Sequence, residues 1–236
     1  MEILEWDTNV FEKRVCRINH EYIDQGNWRR IVEELVESKV DLAYYSTLRA
    51  LEDELDSRHF TLSLIDRKTT YKKIIDRESL IDDAAVIVYP EKYPQPIMFD
   101  LAVQSGVYSR FALDPNIGHG IYEKIYKAWI INSVNKTLAK EVLIYKEQSL
   151  IQGLVTLGEK NSIGDIGIIA VDSKFRGKGI GKKLMRSAES WFAKNTSNKE
   201  IQVVTQGNNL PACKLYESCG YEVSKVEYFY HIWKRL

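Results

Sequence analysis

Apolar positions along the chain fall into short blocks whose spacing switches between two and about four residues, the signatures of strand and helix. Ile3 and Leu4, then Val15, Cys16 and Ile18, mark two short strands separated by Trp6-Asp7-Thr8-Asn9. From Asn27 onward Trp28, Ile31, Val32, Leu35 and Val36 recur with helical period. A strand is expected over 41–46, a second helix over 48–55 and a strand over 60–65, followed by Thr69-Thr70-Tyr71-Lys72-Lys73. Alternation of this kind builds an α/β layer. Pro90, Pro94 and Pro96 then interrupt the pattern, because clustered prolines favour an extended linker over helix or central strand. Two domains are therefore expected, over 1–92 and 97–236.

The second block is longer. A strand is expected over 97–103, a loop of turn formers over 109–120, and a helix carrying Ile121, Ile125, Trp129 and Ile130 to about Val134. Residues 141–145 and 150–157 read as an antiparallel pair around a turn at Lys146-Glu147-Gln148, with Gly153 as a bulge. An apolar strand ending Ile169-Ala170-Val171 leads into a glycine-rich turn and a helix over 180–194. A strand over 200–206, a helix over 209–219 and two strands over 221–224 and 227–234 complete the chain. On the last strand Tyr228, Tyr230 and Ile232 share one face and Phe229, His231 and Trp233 the other. His231 is expected as a core or edge histidine, the alternative being a position facing the acceptor.

The turn after Val171 carries the most specific chemistry. It reads Arg176-Gly177-Lys178-Gly179-Ile180-Gly181-Lys182. Glycines let backbone approach a ligand, and the helix that follows begins with unpaired N–H groups at its positive end. That combination suits an anion such as pyrophosphate. A magnesium-nucleotide P-loop is not supported, because Gly181-Lys182 is followed by Lys183 and no glycine stands at 176. A dinucleotide loop is not supported either, since Gly177, Gly179 and Gly181 alternate instead of following G-x-G-x-x-G. Farther on, Asn209 stands as a helix N-cap before Pro211, and Asn209, Ala212, Tyr216 and Cys219 fall on one helix face ahead of Gly220.

The pattern R-x-x-G-x-G at Arg176, Gly179 and Gly181 resembles the coenzyme A pyrophosphate loop of the Gcn5-related N-acetyltransferases (GNAT). The string N-L-P-A-C-K-L-Y-E-S-C-G-Y resembles the second signature of that superfamily, with Tyr221 in place of its usual phenylalanine. The resemblance implies a mixed, twisted sheet with helices on both faces, preceded here by a smaller, truncated GNAT-like α/β domain. It implies acetyl-coenzyme A as acyl donor. The coenzyme would be held by Ile169, Ala170, Val171, Arg176, Gly177, Lys178, Gly179, Gly181, Lys182, Asn209 and Ala212, in a splay between two strands. The N–H of Val171 or a neighbour would face the oxyanion, and the Tyr216 hydroxyl would serve the departing sulfur. A tyrosine of pKa about 10 protonating a thiolate of conjugate acid about 8.5 is uphill by about 2 kcal/mol. The alternative for Tyr216 is a packed aromatic.

Within that superfamily the opening W-D-T-N-V-F, the S-R-F at 109–111 and the Y-x-x-W-I-x-N-S-V over 126–134 resemble the dTDP-fucosamine acetyltransferases and related sugar-nucleotide enzymes. Glu12 stands where that group commonly has glycine. The acceptor implied is the amine of a nucleotide-linked 4-amino-4,6-dideoxyhexose, with Arg110, Asp114, His119 and Tyr122 as candidates for its recognition. Two alternatives stay open: a GNAT enzyme for another amine, such as a protein N-terminus, polyamine or antibiotic, and a non-catalytic coenzyme A-binding protein.

Composition narrows the partners. The 33 basic and 33 acidic side chains balance, so no global field draws the chain to nucleic acid or a membrane surface. No apolar run reaches the ~18 residues of a membrane span, and the start Met1-Glu2-Ile3-Leu4-Glu5 lacks a signal-peptide pattern. Cys16, Cys213 and Cys219 show no metal-ligand spacing, and no metal is expected. A reducing, cytoplasmic setting follows. Edge strands at the C-terminus are compatible with a homodimer.

Overall fold

The computed structural model describes residues 1–52, 55 and 57–235. In chain order the elements are β1 (Glu2–Ile3), α1 (Glu5–Phe11), β2 (Val15–Arg17), α2 (Gln25–Glu37), β3 (Leu42–Thr47), β4 (Phe60–Ile74), β5 (Val86–Val88), α3 (Pro96–Ser105), α4 (Arg110–Leu113), α5 (His119–Val134), β6 (Glu141–Glu147), β7 (Leu150–Lys160), β8 (Ile163–Val171), α6 (Ile180–Asn195), β9 (Glu200–Gln206), α7 (Leu210–Ser218) and β10 (Glu222–Lys234). A short 3-10 turn at Ser173–Phe175 precedes α6. Two compact units result: Met1–Lys68 with Lys225–Leu236, and Thr69–Ser224. The division thus falls within β4 and β10, not at the proline-rich stretch, which lies inside the second unit. Covalent punctuation by proline does not mark where packing stops.

In the first unit β1 runs antiparallel to β2, β2 parallel to β3, and β3 antiparallel to β10, with Tyr45 opposite Tyr230 and Ala43 opposite Ile232. Helix α2 places Trp28, Ile31, Val32 and Leu35 on this sheet, against Cys16, Tyr45, Phe60 and Ile232. Its start is fixed by a capping box in which Asp24 Oδ1 accepts from Asn27 N at 3.0 Å and Asn27 Oδ1 accepts from Asp24 N at 3.1 Å. His231 is wholly buried, its ring 5.0 Å from that of Tyr44, so the core expectation holds.

Three local expectations in this unit change. Trp6-Asp7-Thr8-Asn9 is helical, with Glu5 and Asp7 in the first turn where carboxylates favour the helix dipole. That helix ends on Glu12 at φ 53°, a left-handed position that glycine takes more cheaply. Residues 48–52 do not continue the expected second helix, and 53 and 54 lie outside the described residues. The strand expected over 60–65 runs on without interruption to Ile74.

The second unit orders its strands β4, β9, β8, β7, β6, β5, with β8 and β9 parallel and the β5–β6, β6–β7 and β7–β8 pairs antiparallel. Helix α6 covers one face: Leu184, Met185, Ala188 and Phe192 pack with Leu143, Val155, Leu157 and Ile166. Helices α3 and α5 pack together, with α3 on β7 and β8 and α5 on β6. The mixed sheet carrying helices on both faces is as expected. Residues 97–103 are helical instead of extended. Pro96 sits at the first helical position, where its fixed φ is preorganised, and Met98, Leu101 and Ala102 turn to one buried side. The β6–β7 turn lies at Gln148 and Ser149, both at positive φ, one step later than expected. The bulge there adds Gln152, next to Gly153. The two terminal strands are one, β10.

Candidate active site

The parallel pair β8 and β9 is in register only from Gly164 opposite Ile201 to Ile166 opposite Val203. Beyond that the strands part, and their later residues, from Gly167 on β8 and Val204 on β9, line one cavity of about 940 Å³. The parting has a local cause in β8. Its register with β7 slips between Val155–Ile169 and Leu157–Ile166, so Gly167 and Ile168 together oppose Thr156. Thr156 Oγ1 accepts the displaced Ile168 N–H at 2.8 Å, and a Cβ on Gly167 would stand 2.9 Å from that hydroxyl. Glycine is required because the bulge brings backbone against the threonine. A glycine inside an apolar strand is a sequence signal for such a bulge.

Past the bulge, Asp172 N donates to Gln152 O at 2.9 Å. By strand alternation the N–H and C=O of Ile169 and Val171 turn away from β7, toward the side where β9 departs. The Val171 carbonyl accepts from Arg176 Nε at 3.0 Å, so that acceptor is already engaged.

Helix α6 begins at the cavity. Its N-cap, Gly179, is left-handed at φ 80° and supplies no side-chain cap. The first-turn N–H groups of Ile180, Gly181 and Lys182 therefore have no side-chain acceptor, and all three residues line the cavity with Arg176, Gly177 and Gly179. A donor set of open backbone N–H groups beside Arg176 and Lys182 fits a pyrophosphate. Lys178 does not line the cavity; its Nζ lies 5.1 Å from the centre of the Phe175 ring. Asn209 lines the cavity while its Oδ1 caps α7 by accepting from Ala212 N at 3.3 Å.

Tyr216 projects from α7 into the cavity wall and is 3 % exposed. Its ring meets Tyr71 edge-on at 5.6 Å. Burial pushes its hydroxyl above the ordinary tyrosine value, with Cys213 and Cys219 adding to the shift. The direction is opposite to one that would ease release of its proton, so the group stays neutral and a donor across the physiological range.

The expected acceptor residues are elsewhere. Arg110, Asp114, His119 and Tyr122 do not line the cavity. Arg110 lies over the Phe111 ring at 4.2 Å, and Asp114 Oδ1 accepts from Asn116 N at 2.8 Å within its own turn. His119 is solvent-exposed, 3.3 Å from Glu123, and Tyr122 is buried with its hydroxyl donating to Val103 O. On α5 the cavity is lined by Tyr126, Trp129 and Ser133; Tyr122 shares their face one turn nearer the helix start and packs on Tyr126 instead, while Arg110 and Asp114 precede α5. Also unanticipated is Asp165, the acidic side chain in the cavity lining among the described residues. Its Oδ1 accepts from Gln202 Nε2 at 2.7 Å. Asp165 and Ile168 share a sheet face only because of the bulge, which strict alternation conceals.

Among the described residues no group of three or more His, Cys, Asp or Glu is placed to hold a metal ion, and no helix is long and apolar enough to cross a membrane. All three cysteines are free.

A splayed parallel pair, an uncapped glycine-led helix and a buried tyrosine thus line one cavity. Residues 108–221, just under half of the chain, match the model of the Acetyltransferase (GNAT) family. A GNAT-family structure from Novosphingobium aromaticivorans DSM 12444 shares the fold, with TM-score 0.55 at 11 % identity over 83 % of this chain and 75 % of that one. The spore coat polysaccharide biosynthesis protein SpsD of Bacillus subtilis (strain 168) is 26 % identical over 144 residues, 61 % of this chain and 49 % of the relative. Streptothricin acetyltransferase of Escherichia coli is 32 % identical over 83 residues, 35 % of this chain and 47 % of the relative. The chain thus spans about half the length of these two curated relatives.

Proposed function

We propose that the protein is an N-acetyltransferase that moves the acetyl group of acetyl-coenzyme A to a primary amine by direct attack. The observation that carries this is the single cavity joining the open N-terminus of α6 to the β8–β9 splay and Tyr216. Ile180 to Lys182 hold the pyrophosphate through backbone N–H groups. The N–H of Ile169 or Val171 faces the carbonyl oxygen as negative charge develops on it. The neutral amine forms the C–N bond, the C–S bond breaks, and Tyr216 donates a hydrogen bond to the departing sulfur. The amine proton passes to Asp165. Because burial widens the ~2 kcal/mol gap between tyrosine and thiol, Tyr216 acts as a donor that stabilises charge and need not surrender its proton fully.

For the acceptor, the relative named for spore coat polysaccharide biosynthesis and the sugar-nucleotide enzyme strings support the amine of a nucleotide-linked 4-amino-4,6-dideoxyhexose. A second reading, another primary amine, draws support from the cavity wall on the α5 side, where the charged groups are one carboxylate, Asp165, and one amine, Lys160. A cytoplasmic homodimer is the setting we propose.

Thiol release from acetyl-coenzyme A against nucleotide-linked amino sugars, polyamines, streptothricin and peptides tests both readings. Turnover confined to a nucleotide sugar is the expected result. Turnover of another amine alone would replace the acceptor. No thiol release with any amine, although acetyl-coenzyme A binds, would overturn the catalytic assignment.

A further inference from the structure

The coenzyme loop leaves half of the cavity unexplained. On the α3 and α5 side its wall carries three aromatic side chains, Tyr108, Tyr126 and Trp129, with the exposed Val107 and Leu138 beside them. This wall is supported from behind. A Cβ on Gly106 would overlap the Tyr126 ring, so glycine at the end of α3 is what admits that ring. Tyr122, anchored on Val103 O, lies 5.2 Å from Tyr126 and fixes its other side. Trp129 then stands half-buried at the cavity. Its ring neighbours meet it at steep angles, Phe111 at 5.9 Å and 73° and Tyr126 at 4.9 Å and 59°. Among the described residues no ring lies parallel on the indole and no cation sits over it. An indole that lines a cavity with no ring stacked parallel on it offers a stacking surface to a flat π system.

We infer that Trp129 is the platform on which a planar ring of the amine acceptor stacks, the ring being a nucleobase of a nucleotide-linked amino sugar or the aryl group of an arylalkylamine. This rests on the reading of the cavity as an acetyltransferase site. At about 940 Å³ the cavity is near the upper end for small-molecule sites, roughly 300–1,000 Å³, which leaves room for an acceptor beside the acyl-bearing arm. Trp129 contributes to acceptor affinity and not to the coenzyme half, whose donors lie on α6.

The test compares wild type, Trp129→Ala and Trp129→Phe with three acceptors: a nucleotide-linked 4-amino-4,6-dideoxyhexose, 2-phenylethylamine and ringless 1,4-diaminobutane. Trp129→Ala is expected to raise KM for a ring-bearing acceptor about 10-fold, leaving KM for acetyl-coenzyme A and for the diamine unchanged; Trp129→Phe recovers most of the loss. Equal effects on ringed and ringless acceptors, or none on either, would overturn the platform. Turnover of 2-phenylethylamine but not of the nucleotide sugar, with the same Trp129 dependence, supports the platform and removes the nucleotide-sugar reading. If no amine is acetylated, the acetyltransferase reading fails and binding decides the platform. Quenching of indole emission by thymidine monophosphate or 2-phenylethylamine that is lost in Trp129→Phe supports it, and no quenching, or quenching that persists, overturns it.

Discussion

Tyr216 lies almost wholly within the protein, and that burial governs its chemistry. A phenol whose ionisation is pushed up by desolvation keeps its proton when buried. The sign matters for pH dependence. A folded-state value above the unfolded ~10 means that the stability this group contributes is whole below pH ~10 and is lost only as pH rises through the folded value. Tyr216 should therefore impose no alkaline limb on kcat below about pH 10. Tyr216→Phe is expected to lower kcat about 10-fold or more while leaving coenzyme A affinity intact, as steady-state kinetics and a binding isotherm would show. An unchanged kcat would mean that Tyr216 only packs against Tyr71. Asp165 and Gly167 belong to the same scale: one residue supplies the carboxylate of the cavity, the other the space that lets the backbone bulge beside Thr156.

Between elements, the end of β4 acts as a clip. Tyr71 Oη donates to Glu217 Oε1 at 2.9 Å, Lys72 pairs with Glu200 at 3.1 Å, and Lys73 Nζ reaches both Glu189 Oε2 and Cys219 O at 2.8 Å. Three consecutive residues thereby tie α7, β9 and α6 to one strand, and α7 carries Tyr216 while α6 carries the uncapped N-terminal turn at the cavity. Glu189 is 17 % exposed, and burial raises its carboxyl despite Lys73. Lys73→Met would leave that carboxylate without its main partner, at a cost of about 2–4 kcal/mol near neutral pH. Its folded value would then rise further above the unfolded ~4.3. The penalty attaches to the charged form, so it should be largest above the folded value and shrink as pH falls toward 4. Urea unfolding at pH 7.5 and pH 4.5 checks this: the gap between variant and wild type should narrow at the lower pH. A constant gap would assign the loss to packing alone.

At the scale of the whole chain, the C-terminal strand has two allegiances in sequence. Residues 222–224 of β10 belong to the second compact unit, while Lys225–Leu236 completes the first. Ile232 is fully buried there opposite Ala43, beside Trp28 and Leu35 in the same core. Ile232→Ala should cost about 2–4 kcal/mol, read as faster hydrogen exchange of the β3 amides that pair with this strand. Unchanged β3 exchange would mean that the first unit does not depend on its C-terminal strand.

What the sequence determined by itself was local. The strand, turn and helix around 176–182 are legible because glycine spacing, a preceding apolar strand and a following helix lie within one stretch of chain, and the α7 segment is equally contiguous. Capping and proline placement set the helix start at Asn209, whereas the apolar run after Pro96, expected as a strand, is a helix packed against β7 and β8. The tertiary structure decided what depends on phase and on distant partners. It decided how far along α5 the cavity reaches, taking in Tyr126 and Trp129 but not Tyr122 on the same face, that a bulge puts Asp165 there, and that Lys73 meets Glu189 across 116 residues of chain. A side chain's direction follows from how its element is rotated onto the sheet, and that rotation is set by the summed packing of residues far apart in sequence.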